Sequence, residues 1–350
     1  MKAMKAVVLV GGEGTRLRPL TETIPKPLLP FMNRPFLDHV LDRLADHGVE
    51  EVVCSSPYLE SEFHGFLQGR TGRPPAVRWI TEARPLGTAG AIAGARDHLG
   101  ETFLALNGDI LADLDLGELI GFHHERGAVA TIALHAVDDA RPFGLVDANR
   151  EGRVLAFREK PEHPVPGTIN AGIYVLEPAA LDHVPPGEPV SIERQTYPRM
   201  IAGGEGVFGF VARGYWRDLG TPQAYLEGHL DALQGRIDAY RGVSRPLVAS
   251  SAEIDPGADV RSLTVLGDRV RVGSGARVDR SVLHGAAAVG EGALVEDTIM
   301  GPGSVVEAGA EVRGAVLAEE ARVPAGLCLE DERVAPGQIA VTGTASGREA

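Results

Sequence analysis

The stretch VVLVGGEGTRLRPLTETIPKPLLP, Val7 to Pro30, decides how the first half of the chain is read. Val7 to Val10 form a short apolar run of the kind that fills a buried parallel strand, and the run ends directly in Gly11, Gly12 and Gly14. Glycines there free backbone amides to close around phosphate oxygens. Thr15 adds a hydroxyl, and Arg16, Arg18 and Lys26 follow with positive charge and no acidic residue placed to neutralise them. Lys26 stands between Pro25 and Pro27, which stiffen the backbone and limit how far its ammonium can wander. The segment reads as a triphosphate site.

That basic cluster sits in an acidic chain. The formal net charge is -14 over 350 residues, which argues against a nucleic-acid partner, because a duplex binder needs a cationic footprint. A length of 350 with 44% hydrophobic and 23% charged residues predicts a soluble, globular, two-domain protein. The apolar run after Lys2 and Lys5 is too short for the core of a secretion signal, and no window has the length of a membrane span. Cys54 and Cys328 are far apart and lack metal-ligand spacing, so neither a disulfide framework nor a zinc site is expected, and the cytoplasm is the default compartment.

From residue 1 to 233 short apolar strands alternate with amphipathic helices, which implies a parallel sheet covered on both faces. Helices are expected over 36–47, 87–99 and 116–125, and strands over 51–54, 77–80, 102–106 and 129–135. The strand at 102–106 runs into Asn107, Gly108 and Asp109, and ligands of open α/β sheets sit beyond the carboxyl ends of strands. Between 141 and 175 three strands with turn residues read as an antiparallel insertion, either a pocket floor or a plain extension of the sheet. Ser191 opens a helix, 207–212 is a strand, and Thr221 with Pro222 starts a final helix just after Asp218.

The C-terminal part is a repeat array. IDPGADV from Ile254, VGSGARV from Val272, VGEGALV from Val289, VEAGAEV from Val306 and VPAGLCL from Val323 share one aliphatic-glycine pattern. A third aliphatic track is read at Val265, Val282, Ile299 and Val316, with a 17-residue step. Such spacing makes a three-sided coil whose turns stack, and five turns at about 4.8 Å each give a prism roughly 24 Å long. The expected boundaries are a first domain at 1–233, a linker at 234–247, the coil at 248–337 and a flexible tail at 338–350. Only His284 among histidines falls after 233, which disfavours histidine-dependent acyl transfer or a three-histidine metal site and favours a scaffold or regulatory role.

The opening turn lacks the third glycine of a dinucleotide fingerprint and the Gly-Lys-Ser/Thr of a Walker turn. Two separated aspartates, Asp109 and Asp218, suit Mg²⁺, which takes carboxylate, water and phosphate oxygens. GGEGTRLRPLT, PKPLLP, EARPLGTAGA, LNGD, FREKPE, INAGIYV and YWRDLGTP follow one another along the chain. In that order they resemble the sugar-1-phosphate nucleotidylyltransferases, in particular the mannose-1-phosphate guanylyltransferase-like branch with a C-terminal left-handed β-helix. The resemblance implies a Rossmann-like, doubly wound α/β nucleotidyltransferase domain followed by a left-handed parallel β-helix of hexapeptide repeats.

It also implies an activity: a sugar 1-phosphate attacks the α-phosphorus of a nucleoside triphosphate and expels pyrophosphate, with Mg²⁺ and without a covalent enzyme intermediate. Carried onto this chain, Arg16 clamps the triphosphate and leaving pyrophosphate, Lys26 holds the reacting phosphates, and Asp109 and Asp218 hold the metal. Gly11, Gly12, Gly14, Thr15, Glu82, Gly87 and Thr88 fall to the nucleotide. Gly144, Glu159, Lys160 and Asn170 fall to the sugar phosphate. A homo-oligomer is expected.

Relatives acting on thymidylyl or uridylyl groups commonly carry glutamine where this chain has Glu82. A carboxylate only accepts, and guanine offers two adjacent donors, so Glu82 favours GTP and, with it, mannose 1-phosphate. Two alternatives stand beside that reading. One is the same chemistry with UTP, ATP or dTTP and glucose 1-phosphate or a cyclitol phosphate; the other is a silent regulatory subunit that binds nucleotide sugar.

Overall fold

The computed structural model describes residues 4–57 and 60–341. Residues 1–3, and with them the first lysine of the N-terminus, lie outside the described residues, as do 342–350 of the expected tail. The chain divides into two compact units. One comprises Met1–Glu13 with Leu37–Trp216, the other Gly14–Phe36 with Arg217–Ala350. The opening stretch is thus shared between them, with its glycine turn cut after Glu13.

The first unit is built on a nine-stranded sheet. Its strands are β1 (Met4–Leu9), β2 (Val49–Ser56), β3 (Ala76–Thr81), β4 (Phe103–Asn107), β5 (Ala130–Val137), β6 (Gly144–Ala148), β7 (Val154–Glu159), β8 (Gly167–Leu176) and β9 (Val207–Val211). The path runs β7-β6-β8-β4-β1-β2-β3, and β5 joins β8 to β9. β4, β1, β2 and β3 are mutually parallel, with Leu9 level with Ser55 and Asn107. Val7, Val53, Ala105 and Ile132 are fully buried, as the apolar runs require.

The sheet is mixed, not wholly parallel as the alternation implied. β8 runs antiparallel to β4, β5 and β6. β6 and β7 are antiparallel as well, because parallel neighbours need a crossover of a dozen or more residues and the turn between these two offers far fewer. The three inserted strands are therefore an extension of the main sheet, and β8, at ten residues, is the longest strand in the unit. Helix α1 (Phe36–Asp46) matches its expected span, whereas α2 (Glu60–Gly69) was not foreseen. The small-residue helix is two pieces, α3 (Gly87–Gly94) and α4 (Arg96–Leu99), followed by α5 (Leu116–Arg126). A helical turn at Ile192–Thr196 leads into α6 (Tyr197–Ala202).

In the second unit, three parallel sheets of six, five and five strands wrap a single apolar interior. The registers Val282↔Ile299, Val289↔Val306 and Val295↔Val312 all advance by one coil, so these aliphatics stack on their equivalents. Two expected aliphatic tracks, Val272 to Val323 and Val278 to Leu329, line the interior. The third is shifted. Leu266, Leu283, Met300 and Leu317 face inward, one residue after the expected Val265, Val282, Ile299 and Val316. Successive strand residues point to opposite faces, so a one-residue offset turns that row outward. The outward row is nevertheless buried, because this side of the coil is covered within the unit.

The final helix α7 (Pro222–Leu233) belongs to that cover. Thr221 caps it by accepting from the Ala224 amide at 3.2 Å. Tyr225 Oη donates to the Pro30 carbonyl and lies 3.3 Å from His284 Nε2. Asn33 donates to the Leu266 carbonyl at 2.9 Å, and Tyr240, in the segment expected to be a linker, packs edge-on against Phe31. At the far end the tail was expected from 338, yet the Arg322 amide donates to the Gln338 carbonyl and the Ala340 amide to that of Arg322. Ladder pairing thus continues to Ala340.

Candidate functional site

Four adjacent parallel strands of the first unit end at one rim, and each delivers a candidate residue there. β1 leads into Gly11 and Gly12, β2 ends at Ser55 and Ser56, β3 leads into Glu82, and β4 leads into Asn107, Gly108 and Asp109. This is the carboxyl edge at which ligands of open α/β sheets bind. The Gly108 amide donates to the Leu9 carbonyl at 2.9 Å, which pins the Asn-Gly-Asp turn against the end of β1. Around Gly12 there is open space, so its lack of a side chain serves no packing need within the protein.

Glu82 is 8% exposed and already bonded on both oxygens. Ser55 Oγ donates to Oε1 at 2.8 Å, and the Leu86 amide donates to Oε2 at 3.0 Å. The carboxylate therefore anchors the 82–86 loop. An ionised carboxylate has about four acceptor sites, so two remain for an external donor pair.

β8 approaches the rim from the opposite direction, bringing Asn170 beside the end of β4. A bulge between Asn170 and Tyr174 re-aims the strand there. Gly172 takes a φ of 74° in that bulge, and a Cβ on it would come 2.8 Å from Asn107 Nδ2. Its amide donates to Asn170 Oδ1 at 2.9 Å, while Asn170 Nδ2 donates to Tyr174 Oη at 2.8 Å. Gly144 and Glu159 face each other across β6 and β7. A Cβ on Gly144 would stand 2.9 Å from Glu159 Oε2, so only glycine lets that carboxylate lie across the strand. Burial, and then the nearby Glu193 carboxylate, raise the Glu159 pKa, with Lys160 and Arg194 opposing. Lys160 itself is exposed, with a φ of 51°.

The second unit holds Arg16 and Lys26, the cations expected at the triphosphate. Gly14, at φ 63°, starts a short helical turn at Thr15–Leu17, and Thr21 Oγ1 closes it by donating to the Gly14 carbonyl at 2.7 Å. Thr15 and Arg16 are exposed on that turn. Arg16 lies 3.3 Å and Lys26 3.8 Å from the Asp218 carboxylate. The Arg16 side chain is 60% exposed and that of Lys26 only 11%. An exposed pair of this kind is worth about 1 kcal/mol or less, so Arg16 is free to exchange Asp218 for a phosphate, while Lys26 is largely buried.

Asp109 and Asp218 offer only hard oxygen donors. Among the described residues no group of three or more His, Cys, Asp or Glu side chains could cage an ion. Carboxylate oxygens are the donors that Mg²⁺ takes alongside phosphate and water oxygens, and not the nitrogen and sulfur donors of most zinc sites; Asp109 lies in the first unit and Asp218 in the second.

Three residues of this region carry no role in the sequence reading. Tyr174 lies inside the quoted INAGIYV, fully buried behind Asn170. Trp216 lies inside YWRDLGTP; its Nε1 donates to the Ala171 carbonyl at 3.0 Å and so braces the same bulge, with His135 stacked on it. Glu193 had no motif to mark it. Its Oε2 accepts from Thr88 Oγ1 at 2.8 Å and from Ser191 Oγ at 2.7 Å. Thr88 Oγ1 also accepts from the Ile192 amide at 2.8 Å, so the hydroxyl expected on the nucleotide is engaged inside the protein.

Comparison with known proteins matches residues 5–235 to the nucleotidyl transferase family and residues 243–343 to the GMPPB C-terminal domain. The mannose-1-phosphate guanylyltransferase of Mycobacterium tuberculosis is 40% identical over 83% of this chain and 82% of its own length. Mannose-1-phosphate guanylyltransferase 1 of Arabidopsis thaliana is 36% identical over 85% of this chain and 86% of its own. Among solved structures, HddC from Yersinia pseudotuberculosis in complex with GMP-PN is similar at a TM-score of 0.57. It is 29% identical and covers 64% of this chain and 97% of its own.

Proposed function

The chain belongs to the nucleotidyl transferase family, and from that membership we propose that it joins GTP to mannose 1-phosphate, yielding GDP-mannose and pyrophosphate with Mg²⁺. The observation that carries the reading is the rim, where Gly12, Glu82 and Asp109 follow the carboxyl ends of neighbouring parallel strands. The names of the relatives support the choice of GTP and mannose 1-phosphate.

Each residue then has a chemical task. The glycine turn accepts the triphosphate on backbone amides. Arg16, exposed, follows the β- and γ-phosphates as they leave; Lys26, largely buried, neutralises charge at the reacting phosphates. Asp109 and Asp218 would hold Mg²⁺, which when bound would supply positive charge against the triphosphate. One phosphate oxygen of the sugar 1-phosphate forms a bond to the α-phosphorus as the bond to pyrophosphate breaks, so no protein side chain is covalently modified.

On the sugar side, Glu159 accepts from hydroxyl groups and Gly144 offers backbone. Asn170, with Oδ1 and one Nδ2 hydrogen engaged, has its second hydrogen for a sugar oxygen. Lys160 meets the sugar phosphate. Glu82, held by Ser55 and Leu86, turns its remaining acceptor sites to the two donors of guanine.

The test is a pyrophosphate-release panel of GTP, UTP, ATP, CTP and dTTP against mannose, glucose and other sugar 1-phosphates with Mg²⁺. GTP with mannose 1-phosphate should give the highest kcat/KM. Turnover with no pair would overturn the reading, and preference for UTP or dTTP would overturn the role given to Glu82.

A further inference from the structure

Behind the proposed sugar contacts lies a chain of hydrogen bonds that starts in the first turn of helix α3. The Gln195 and Thr196 amides both reach the Ser191 carbonyl, at 3.1 and 3.2 Å. The longer reach makes a π-helical turn at Ile192–Thr196, a distortion found preferentially at functional sites. The turn carries Glu193 into the first unit, where Thr88 and Ser191 fix one oxygen and Tyr174 Oη stands 3.5 Å from the other.

The direction of this chain matters. A carboxylate can only accept, so Tyr174 must spend its hydrogen toward Glu193 and present a lone pair to Asn170. Asn170 then donates from Nδ2 to Tyr174 and turns Oδ1 to the Gly172 amide. Without the carboxylate the tyrosine hydroxyl is free to reverse, and the Asn170 amide loses the partner that orients it.

We propose that Glu193 is a positioning residue: it sets the orientation of Asn170 through Tyr174 and, through Thr88, ties the sugar side of the rim to the start of helix α3. The inference rests on the assignment of Asn170 to the sugar. It predicts that a change at Thr88, in the first turn of the helix expected at the nucleotide, is felt by the sugar phosphate.

The experiment compares steady-state KM and kcat for both substrates, using the pair that the wild-type chain turns over best. The variants are Glu193→Gln, Tyr174→Phe, Thr88→Val and Thr88→Ser. Tyr197→Phe serves as control; it alters a fully buried neighbour, 5.7 Å from Tyr174 between ring centroids, whose hydroxyl has no hydrogen-bond partner among the described residues. Glu193→Gln, Tyr174→Phe and Thr88→Val should each raise the sugar 1-phosphate KM about tenfold, with the triphosphate KM within about twofold of wild type. Thr88→Ser should restore wild-type values.

Thr88→Val combined with Tyr174→Phe should be no worse than either alone, since both cut one chain. Multiplicative effects, a shift confined to the triphosphate KM, or an equal loss in Tyr197→Phe would overturn the inference. Wild-type turnover with unaltered Glu193→Gln and Tyr174→Phe kinetics sinks this inference alone. Absence of wild-type turnover sinks the proposed function instead.

Discussion

Parallel strands build both the coil and the rim, but they are used in opposite ways. In the coil each strand is two or three residues long, and Val289 sits on Val306 as Val272 sits on Val289. In the rim the strands are five to eight residues long, and no two of them end alike: glycine, serine, glutamate and aspartate follow in neighbouring positions. Repetition lets a coil bury aliphatics from Val272 onward against their own kind, which gives stability, while Ile254 of the first repeat is exposed. A rim of unlike ends gains little from stacking and brings unlike groups to one edge, which is what a reaction between two anions requires.

The comparison breaks most readily at the carboxylates. Asp109→Asn and Asp218→Asn should each lower kcat on the order of 100-fold or more while the melting temperature stays close to that of the wild type. Steady-state pyrophosphate release and thermal melts on the same preparations make the check. Near-normal turnover in both would return the two aspartates to turn formation and ion pairing and remove their proposed metal role.

A smaller effect is expected at Glu82. Glutamine can keep the Leu86 bond through its oxygen and meet Ser55 with its amide, because a hydroxyl can turn to accept. The loop is preserved while one acceptor becomes a donor facing guanine. Glu82→Gln should therefore reduce kcat/KM for GTP about tenfold and narrow its margin over UTP. A variant that loses stability but keeps the same base preference would show that Glu82 serves only the 82–86 loop.

The coil was legible because its period is enforced at every turn. Two of the three aliphatic tracks follow directly from glycine spacing. The third slipped by one because Val265 and Leu266 are both apolar, as are Val282 and Leu283, and periodicity cannot say which of two buried neighbours faces inward. In the first unit the strands were legible as apolar runs and the three of 141–175 as antiparallel, but the place of β8 inside the main sheet, between β4 and β5, was not, since it is set by pairing between strands far apart in sequence. The place of Asp109 just beyond a strand end could be read from the apolar run before it. Glu193 could not: its role comes from a π-helical turn and a contact with Thr88 more than a hundred residues away, and neither leaves a local pattern.

The last test asks whether the coil is as inert as the comparison holds. His284 is fully buried beside Tyr225, and burial pushes its pKa down from 6.5 to about 4. The folded chain then refuses a proton that the unfolded chain accepts. Stability is complete above about pH 6.5 and is lost as the pH falls toward 4, at about 1.4 kcal/mol per pH unit and on the order of 3 kcal/mol in all. His284→Gln keeps a polar partner for Tyr225 and removes the titration. Urea unfolding at a series of pH values should give a shallower acid slope for the variant, with turnover at neutral pH unchanged. Parallel slopes would place the acid sensitivity elsewhere. Turnover that falls with His284→Gln would mean that the Tyr225–Pro30 contact carries a change in the coil back to the signature segment, and the coil would cease to be scaffold alone.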